Sequence, residues 1–357
     1  MVETDATVAV SAERQSHVDA VLARLFSLAR KRAEPLGLAY LALWDSIEAA
    51  TTGGKRFRPR MVFAAYEALG GTDREAAACV GAAFELLHTS LCVHDDVIDR
   101  DFVRRGIPNV SGVFKNRALA AGQEEASAEH HGISAAVIAG DLALFNAYRL
   151  IDRSGVSGAT RARLLEVMDD ALFASAAGEL IDIDFTLHAD DPHVDDILAM
   201  ERLKTAVYSF EGPLQAGGIL AGASEETVAT LGEFGREIGI AYQLVDDVLG
   251  VFGTEAETGK TTIGDLREGK RTVMIAYAAS APGWEELAPL FGSPDLDEAG
   301  AARLRAHLVQ SGARGFAEGL ARYYANRALA RLVEPHIPAA LREELHPVAD
   351  AVLGRVK

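Results

Sequence analysis

The sequence predicts an all-α protein built as one domain. Three observations carry this: apolar residues recur at three- and four-residue spacing along most of the 357-residue chain, no stretch alternates with the period of a strand, and proline is sparse at 11 copies. Apolar residues make up 49% of the chain, enough for long helices around a large core. No segment has the composition of a linker and no repeat of fixed period is evident. Residues 1–357 are therefore read as a single domain, with 1–16 as a flexible N-terminal segment.

The elements follow in chain order. Residues 17–30 and 40–50 carry the amphipathic helical period, and Thr51-Thr52-Gly53-Gly54 breaks it. A helix resumes near Pro59, a residue suited to a first helical turn, runs to Leu69 and stops at Gly70-Gly71. Residues 73–101 read as one helix rich in Ala and Leu, with acids only near its ends and at Glu85, the pattern of a helix buried along most of its length. Residues 117–131 are polar and weakly patterned and read as a loop. Its His130-His131 pair belongs on the surface, since sequence neighbours cannot chelate from one helix face. The helical period returns over 133–151, 160–185, 194–210 and 225–252, and Glu211-Gly212-Pro213 is expected to end or kink its helix. Beyond Arg271 come shorter amphipathic helices around a loop near 282–294.

Charge narrows the function. Lys and Arg number 35 against 52 Asp and Glu, a formal charge of −17, which excludes a nucleic-acid surface because such a surface needs a basic face. An acidic chain still binds anions where divalent cations invert the local field. Cys79 and Cys92 lie in apolar stretches without ligand-like spacing and read as buried, reduced thiols. The N-terminus lacks a basic stretch followed by an apolar core, and no apolar run long enough to span a bilayer is evident. No transmembrane segment is expected, and the expected compartment is the cytoplasm.

Two acidic constellations stand out. In His94-Asp95-Asp96-Val97-Ile98-Asp99, at the end of an apolar helix, Asp95 and Asp99 are four apart and share a face. Carboxylates this close repel unless protonated or holding cations, and hard oxygen ligands with room for water suit Mg²⁺ bridging to phosphates. Gln243-Leu244-Val245-Asp246-Asp247-Val248-Leu249-Gly250 is likewise embedded in an apolar helix. Either motif alone is more often a solvated face. Two in one chain are hard to explain that way, because burying charge costs several kcal/mol unless a partner offsets it, and a metal cluster is the economical partner.

Cations lie where anionic ligands would need them. Gly53-Gly54-Lys55-Arg56-Phe57-Arg58-Pro59-Arg60 is a glycine turn with basic residues at a helix start, read equally well as an anion site or an exposed basic turn. Arg104-Arg105 follows the first acidic motif, Lys204-Thr205 interrupts an apolar run, and Gly259-Lys260 and Asp265-Leu266-Arg267-Glu268-Gly269-Lys270 follow the second.

From Gly53 to Lys270 the order of these motifs resembles the trans (all-E) prenyl diphosphate synthases of the polyprenyl synthetase family, including geranylgeranyl diphosphate synthases. The resemblance implies a helical bundle around a central cavity, the isoprenoid synthase type I fold, assembled as a homodimer. It implies an enzyme that condenses isopentenyl diphosphate with an allylic prenyl diphosphate, using three Mg²⁺ ions. By motif position Asp95, Asp99 and Asp246 are the implied metal ligands, with Asp96 and Asp247 in support. The isopentenyl diphosphate site falls on Lys55, Arg58, His88 and Arg105, and allylic contacts fall on Arg104, Lys204, Thr205, Gln243, Lys260 and Lys270. On the residues alone, His88 reads as a satisfied helix histidine. Gly178-Glu179-Leu180-Ile181-Asp182 resembles a further family signature, with Glu179 where glutamine is commoner and Asp182 in a supporting role. Gly250 is a departure, since many members carry a third aspartate there.

In the implied mechanism metal and basic side chains neutralise the leaving diphosphate, an allylic cation is held in a dry pocket beside the isopentenyl double bond, and released diphosphate takes the proton. The family shortens its product with a bulky aromatic four or five residues before the first aspartate. Leu91 and Ser90 stand there, so a product longer than farnesyl diphosphate is expected, most simply geranylgeranyl diphosphate. Phe145 and Tyr148 read either as a deeper pocket floor or as core aromatics. A lipid-like product implies transient membrane contact. A terpene cyclase would not need the Lys55, Arg58 and Arg105 set, a non-catalytic subunit would normally lose an aspartate motif, and a membrane-embedded prenyltransferase is excluded by the missing spans.

Overall fold

A computed structural model describes residues 11–54, 56–187, 192–254 and 262–355. These form fifteen α-helices, a π-helical segment, short 3₁₀ turns and one two-residue hairpin. The chain divides into two compact units, Val8–Asp169 with Pro213–Ala223, and Asp170–Gly212 with Ser224–Lys357.

The first unit holds α1 (Ala12–Ala33), α2 (Leu38–Thr51), α3 (Phe57–Ala68), α4 (Arg74–Ile98), α5 (Val110–Ala120) and α6 (Glu125–Asp152), followed by the start of α7 (Gly158–Leu187) and most of α9 (Gly212–Leu220). Helix α1 starts inside the segment expected to be flexible. Ser11 Oγ accepts the Arg14 backbone N–H at 3.3 Å, and the Arg14 guanidinium pairs with Glu67 at 2.6 Å, which fixes the first turn.

Helix α4 is the core of this unit, and every side chain from Ala76 to Leu87 is buried. It packs on α1, α3 and α6, and buried Phe84, Leu86 and Leu87 each contribute about 1.5–3 kcal/mol by area. Its start explains the expected glycine stop. Gly70 takes φ +87°, a Cβ on Gly71 would lie 2.2 Å from the Tyr66 ring, and the Tyr66 hydroxyl accepts the Asp73 N–H at 2.8 Å. The Asp73 carboxylate then caps α4 through the Ala76 N–H at 3.0 Å. Helices α4 and α6 are long and apolar enough to pass a membrane-span test by length and composition alone, a test that buried core helices also pass, and in α4 that window is 83% buried within the protein.

Residues 117–131 are not a loop. Helix α5 runs to Ala120, and α6 begins at Glu125. The inward residues at this end of α6 are Ala128 and Gly132, so the buried face carries almost no apolar signal while Glu129, His130 and His131 face outward. A Cβ on Gly132 would sit 2.3 Å from the Ser111 carbonyl, so the two helices cross closely, and Lys115 ties them through Glu125 and Glu129 at 2.6 and 2.9 Å. Between α4 and α5, β1 (Val103–Arg104) pairs with β2 (Ile107–Pro108). Arg105 at φ +54° and Gly106 at +76° form the turn, the backbone sign that a two-residue hairpin demands.

The second unit contains the rest of α7, α8 (Val194–Glu201), the π segment Arg202–Glu211, α10 (Glu225–Phe252), α11 (Gly264–Glu268), α12 (Val273–Ala279), α13 (Glu298–Gln310), α14 (Ala313–Leu332) and α15 (Ala339–Gly354). Helix α10 is central and packs on the π segment and α14. On α10, Gly235 and Gly239 lie one turn apart; a Cβ there would meet the Glu211 backbone at 2.7 Å or the Ala206 side chain at 2.6 Å. The expected break at Glu211-Gly212-Pro213 is not a stop. The Gly212 N–H bonds to the Val207 carbonyl five residues back, and the chain passes from π to α geometry.

Candidate active site

One cluster, in the first unit, is built at the end of α4, where His88, Cys92, Asp95 and Asp99 recur at helical spacing. Asp95 is partly exposed and Asp99 exposed at the helix C-cap, whereas Asp96 turns inward and is 4% exposed. The hairpin brings Arg104 onto this end. Its Nε donates to Asp96 Oδ1 at 2.8 Å, and its Nη2 donates to Asp95 Oδ2 at 3.0 Å. Burial pushes the Asp96 carboxyl above its usual pKa, and Arg104 pulls it back.

Two turns earlier sits His88, 3.5 Å through Nδ1 from the Cys92 thiol. Its pKa falls well below the ordinary value, first through desolvation and then through the charges of Arg58, Arg104 and Arg105. A neutral imidazole under the charges of three guanidiniums could receive an anion, since phosphate would meet permanent positive charge without displacing a proton. Arg58 lies 3.7 Å from buried Glu85. Arg56 is not free for ligand: at φ +50° it caps α3 and bonds the Thr51 carbonyl at 2.7 Å, Asp19 at 2.8 Å and Glu85 at 3.3 Å. Glu85, the one acid inside the apolar run of α4, is thus the counter-charge that holds this basic turn. The sequence marked its oddity but not its role. Lys55 lies outside the described residues.

Ser90 and Leu91, expected to set pocket depth, differ in placement. Ser90 is buried and its hydroxyl donates to the Gly140 carbonyl on α6 at 2.9 Å, whereas Leu91 is half-buried. The helices meet closely because Gly140 has no side chain: a Cβ there would lie 2.2 Å from His94 Nε2. Phe145 is neither floor nor core, being 61% exposed with Arg149 over its ring; Tyr148 is half-buried.

A second cluster, in the second unit, is built on α10 and the π segment. Asp246 is exposed, with Arg355 at 3.5 Å, and Asp247 is buried. Asp247 Oδ1 accepts from Gln243 Nε2 at 2.9 Å and from Lys270 Nζ at 3.0 Å. Asp247, ahead of every other cause, holds the Lys270 ammonium well above its usual pKa. Glu201, which the sequence reading missed, is 3% exposed and lies against Asp247; burial first and then that charge push its carboxyl well above the ordinary range. Lys204 Nζ pairs with Asp182 at 2.7 Å and Glu179 at 3.0 Å, and Thr205 beside it is half-buried. A Cβ on Gly178 would fall 2.3 Å from the Lys204 backbone nitrogen, which explains the glycine before Glu179. Lys260 lies outside the described residues.

Among the described residues no three His, Cys, Asp or Glu side chains form a ready ligand cage. Magnesium commonly takes one or two carboxylates and completes its shell with water and substrate phosphate, so the partly exposed Asp95 with the exposed Asp99 in the first unit, and the exposed Asp246 in the second, each fit that ion.

A family model described as polyprenyl synthetase matches residues 42–299. The chain is 35% identical over 319 residues to a geranylfarnesyl diphosphate synthase of Aeropyrum pernix, covering 87% of this chain and 93% of that one. It is 30% identical to a geranylgeranyl diphosphate synthase of Saccharolobus solfataricus across 80% of this chain and 81% of the relative. Among solved structures, a geranylgeranyl pyrophosphate synthase from Corynebacterium glutamicum, complexed with isoprenyl diphosphate and magnesium, matches with a TM-score of 0.85 at 30% identity, covering 95% and 98% of the two chains.

Proposed function

The chain belongs to the polyprenyl synthetase family, and we propose that it joins isopentenyl diphosphate to an allylic prenyl diphosphate with Mg²⁺, making an all-trans prenyl diphosphate of geranylgeranyl length or longer. The observation that carries the reading is the end of α4: a neutral His88 under the charges of Arg58, Arg104 and Arg105, a few turns from the partly exposed Asp95 and the exposed Asp99. Anion-binding and cation-binding groups share one helix end, as bringing a diphosphate held by basic groups beside one held through metal requires.

Bound Mg²⁺, three ions with substrate present, would neutralise charge developing on the leaving diphosphate; its proposed ligands are Asp95 and Asp99 in the first unit and Asp246 in the second. Arg104 keeps Asp95 and Asp96 in fixed orientation, and Lys270 with Gln243 does the same for Asp247. Lys204 presents its ammonium beside Thr205 for the allylic diphosphate, while Arg58, His88 and Arg105 take the isopentenyl diphosphate. The names of the relatives, and the lack of an aromatic residue at positions 90 and 91, support a long product. The same reading carries a homodimer, a cytoplasmic location and transient membrane contact for product release.

Incubation with isopentenyl diphosphate, Mg²⁺ and each of dimethylallyl, geranyl and farnesyl diphosphate, followed by product sizing, tests it. Linear product that depends on both substrates and stops on chelation is expected. Cyclic hydrocarbon formed without isopentenyl diphosphate would replace the reading with a terpene cyclase, and inactivity with all three allylic substrates would leave a non-catalytic subunit.

A further inference from the structure

We propose that Asp265 supplies to the second aspartate motif the carboxylate that Gly250 lacks, and so acts as a positioning residue for the metal and diphosphate held there. The proposal deepens the reading given above and rests on it. A side chain begun at Gly250 would place its Cβ 2.2 Å from Asp265 Oδ2 and 3.2 Å from Asp265 Cγ. The Asp265 carboxylate therefore fills the volume that a side chain at position 250 would occupy. Only glycine leaves that slot open.

Position 250 is four residues after Asp246, so it shares a helix face with that aspartate and stands one turn further along. A carboxylate over Gly250 is thus presented on the face of α10 that carries the implied metal ligand. Asp265 is close enough for its charge to act on both Asp246 and Lys270.

The contact is built rather than incidental. Helix α11 ends at Gly269 in the left-handed conformation, whose N–H returns to the Asp265 carbonyl, and the Lys270 N–H bonds the same carbonyl at 3.0 Å. That turn sends Lys270 Nζ to Asp247. One short helix hands a carboxylate to the Gly250 end of the motif and an ammonium to Asp247. Arg305 ties the two segments together, with Nε on the Val251 carbonyl at 2.9 Å and Nη2 on the Thr262 carbonyl at 3.0 Å.

Glu201 is 3% exposed, neither of its carboxyl oxygens receives a hydrogen bond among the described residues, and it lies against Asp247. Asp246, Asp247 and Asp265 gather around Lys270, with Arg355 3.5 Å from Asp246. Mg²⁺ keeps several of its waters, and a carboxylate one turn from a ligand is placed to accept hydrogen bonds from them.

The test transposes the carboxylate. Asp265→Asn, Asp265→Ala, Gly250→Asp and the double variant Gly250→Asp with Asp265→Ala are compared with the wild-type chain by calorimetric titration of Mn²⁺ in the presence of inorganic diphosphate, by the Mg²⁺ dependence of condensation, and by thermal melting. Loss of an outer carboxylate should weaken Mn²⁺ binding about tenfold in both Asp265 variants. Gly250→Asp alone should bind poorly and melt lower, since it drives a second carboxylate against the first. The double variant should recover to within about threefold of wild type, which a merely structural Asp265 would not give. Wild-type Mn²⁺ affinity in Asp265→Asn, or a folded double variant no better than Asp265→Ala, overturns the assignment. A wild-type chain that neither condenses nor binds Mn²⁺ with diphosphate overturns the functional reading beneath it.

Discussion

Replacing Arg104 by methionine should destabilise the first unit, and more so at alkaline than at acidic pH. Arg104 Nη2 lies 2.7 Å from Asp96 Oδ1 and 3.0 Å from Asp95 Oδ2. Methionine would leave Asp96, 4% exposed, without a counter-charge. Breaking a buried pair from one side costs about 3–5 kcal/mol, but the Arg104 side chain is 33% exposed and water would enter the gap, so about 2–3 kcal/mol is expected. Burial already raises the folded-state pKa of Asp96, with Arg104 opposing. A carboxyl raised in the folded state binds its proton more tightly there, so its contribution is present at low pH and is lost as pH rises from the unfolded value of about 3.9 through the folded one. Removing Arg104 moves that folded value further up, and the gap between wild type and variant should narrow on acidification. Urea unfolding at about pH 8 and about pH 5, in a Trp284→Phe background where Trp44 reports on the first unit, measures this. A penalty below about 0.5 kcal/mol, or one equal at both pH values, would refute the reasoning.

Two further expectations concern product length. Ser90→Phe should lower the melting temperature, because Ser90 sits in the close α4 and α6 contact and overpacking costs about 1–3 kcal/mol; an unchanged melt would mean the helices can separate. Leu91→Phe, at the half-buried neighbouring position, should shift the product toward shorter chains, and an unaltered product profile by chromatography would remove α4 as the pocket wall. Phe145→Ala should leave product length as it is, since a side chain 61% exposed cannot floor a pocket; a longer product would contradict that.

Much of this was legible in the residues. The long apolar run with acids at its ends gave α4 to within a few residues at each boundary, because burial on every face needs no periodic contrast. The glycine pairs gave the stops. What escaped was tertiary. The join of α5 and α6 is hidden because its buried face is Ala and Gly, and the hairpin because two residues of strand on either side of Arg105-Gly106 carry no alternation. Phe145 is aromatic like a core residue and lies outside the core, and only coordinates bring Asp265 to Gly250 across fifteen positions of sequence. Glu201 is unreadable from sequence for the same reason: its meaning lies in a neighbour on another helix.

The wide turn that carries Lys204 and Thr205 makes their orientation depend on a residue count. Deleting any one residue between Thr205 and Glu211 would let the segment relax to ordinary helical winding and would keep both side chains, yet rotate them by about 100° relative to the glycine-lined seam on α10. Length, as much as chemistry, is therefore under constraint here: a substitution in this stretch alters one contact, whereas an omission would re-aim the ammonium altogether.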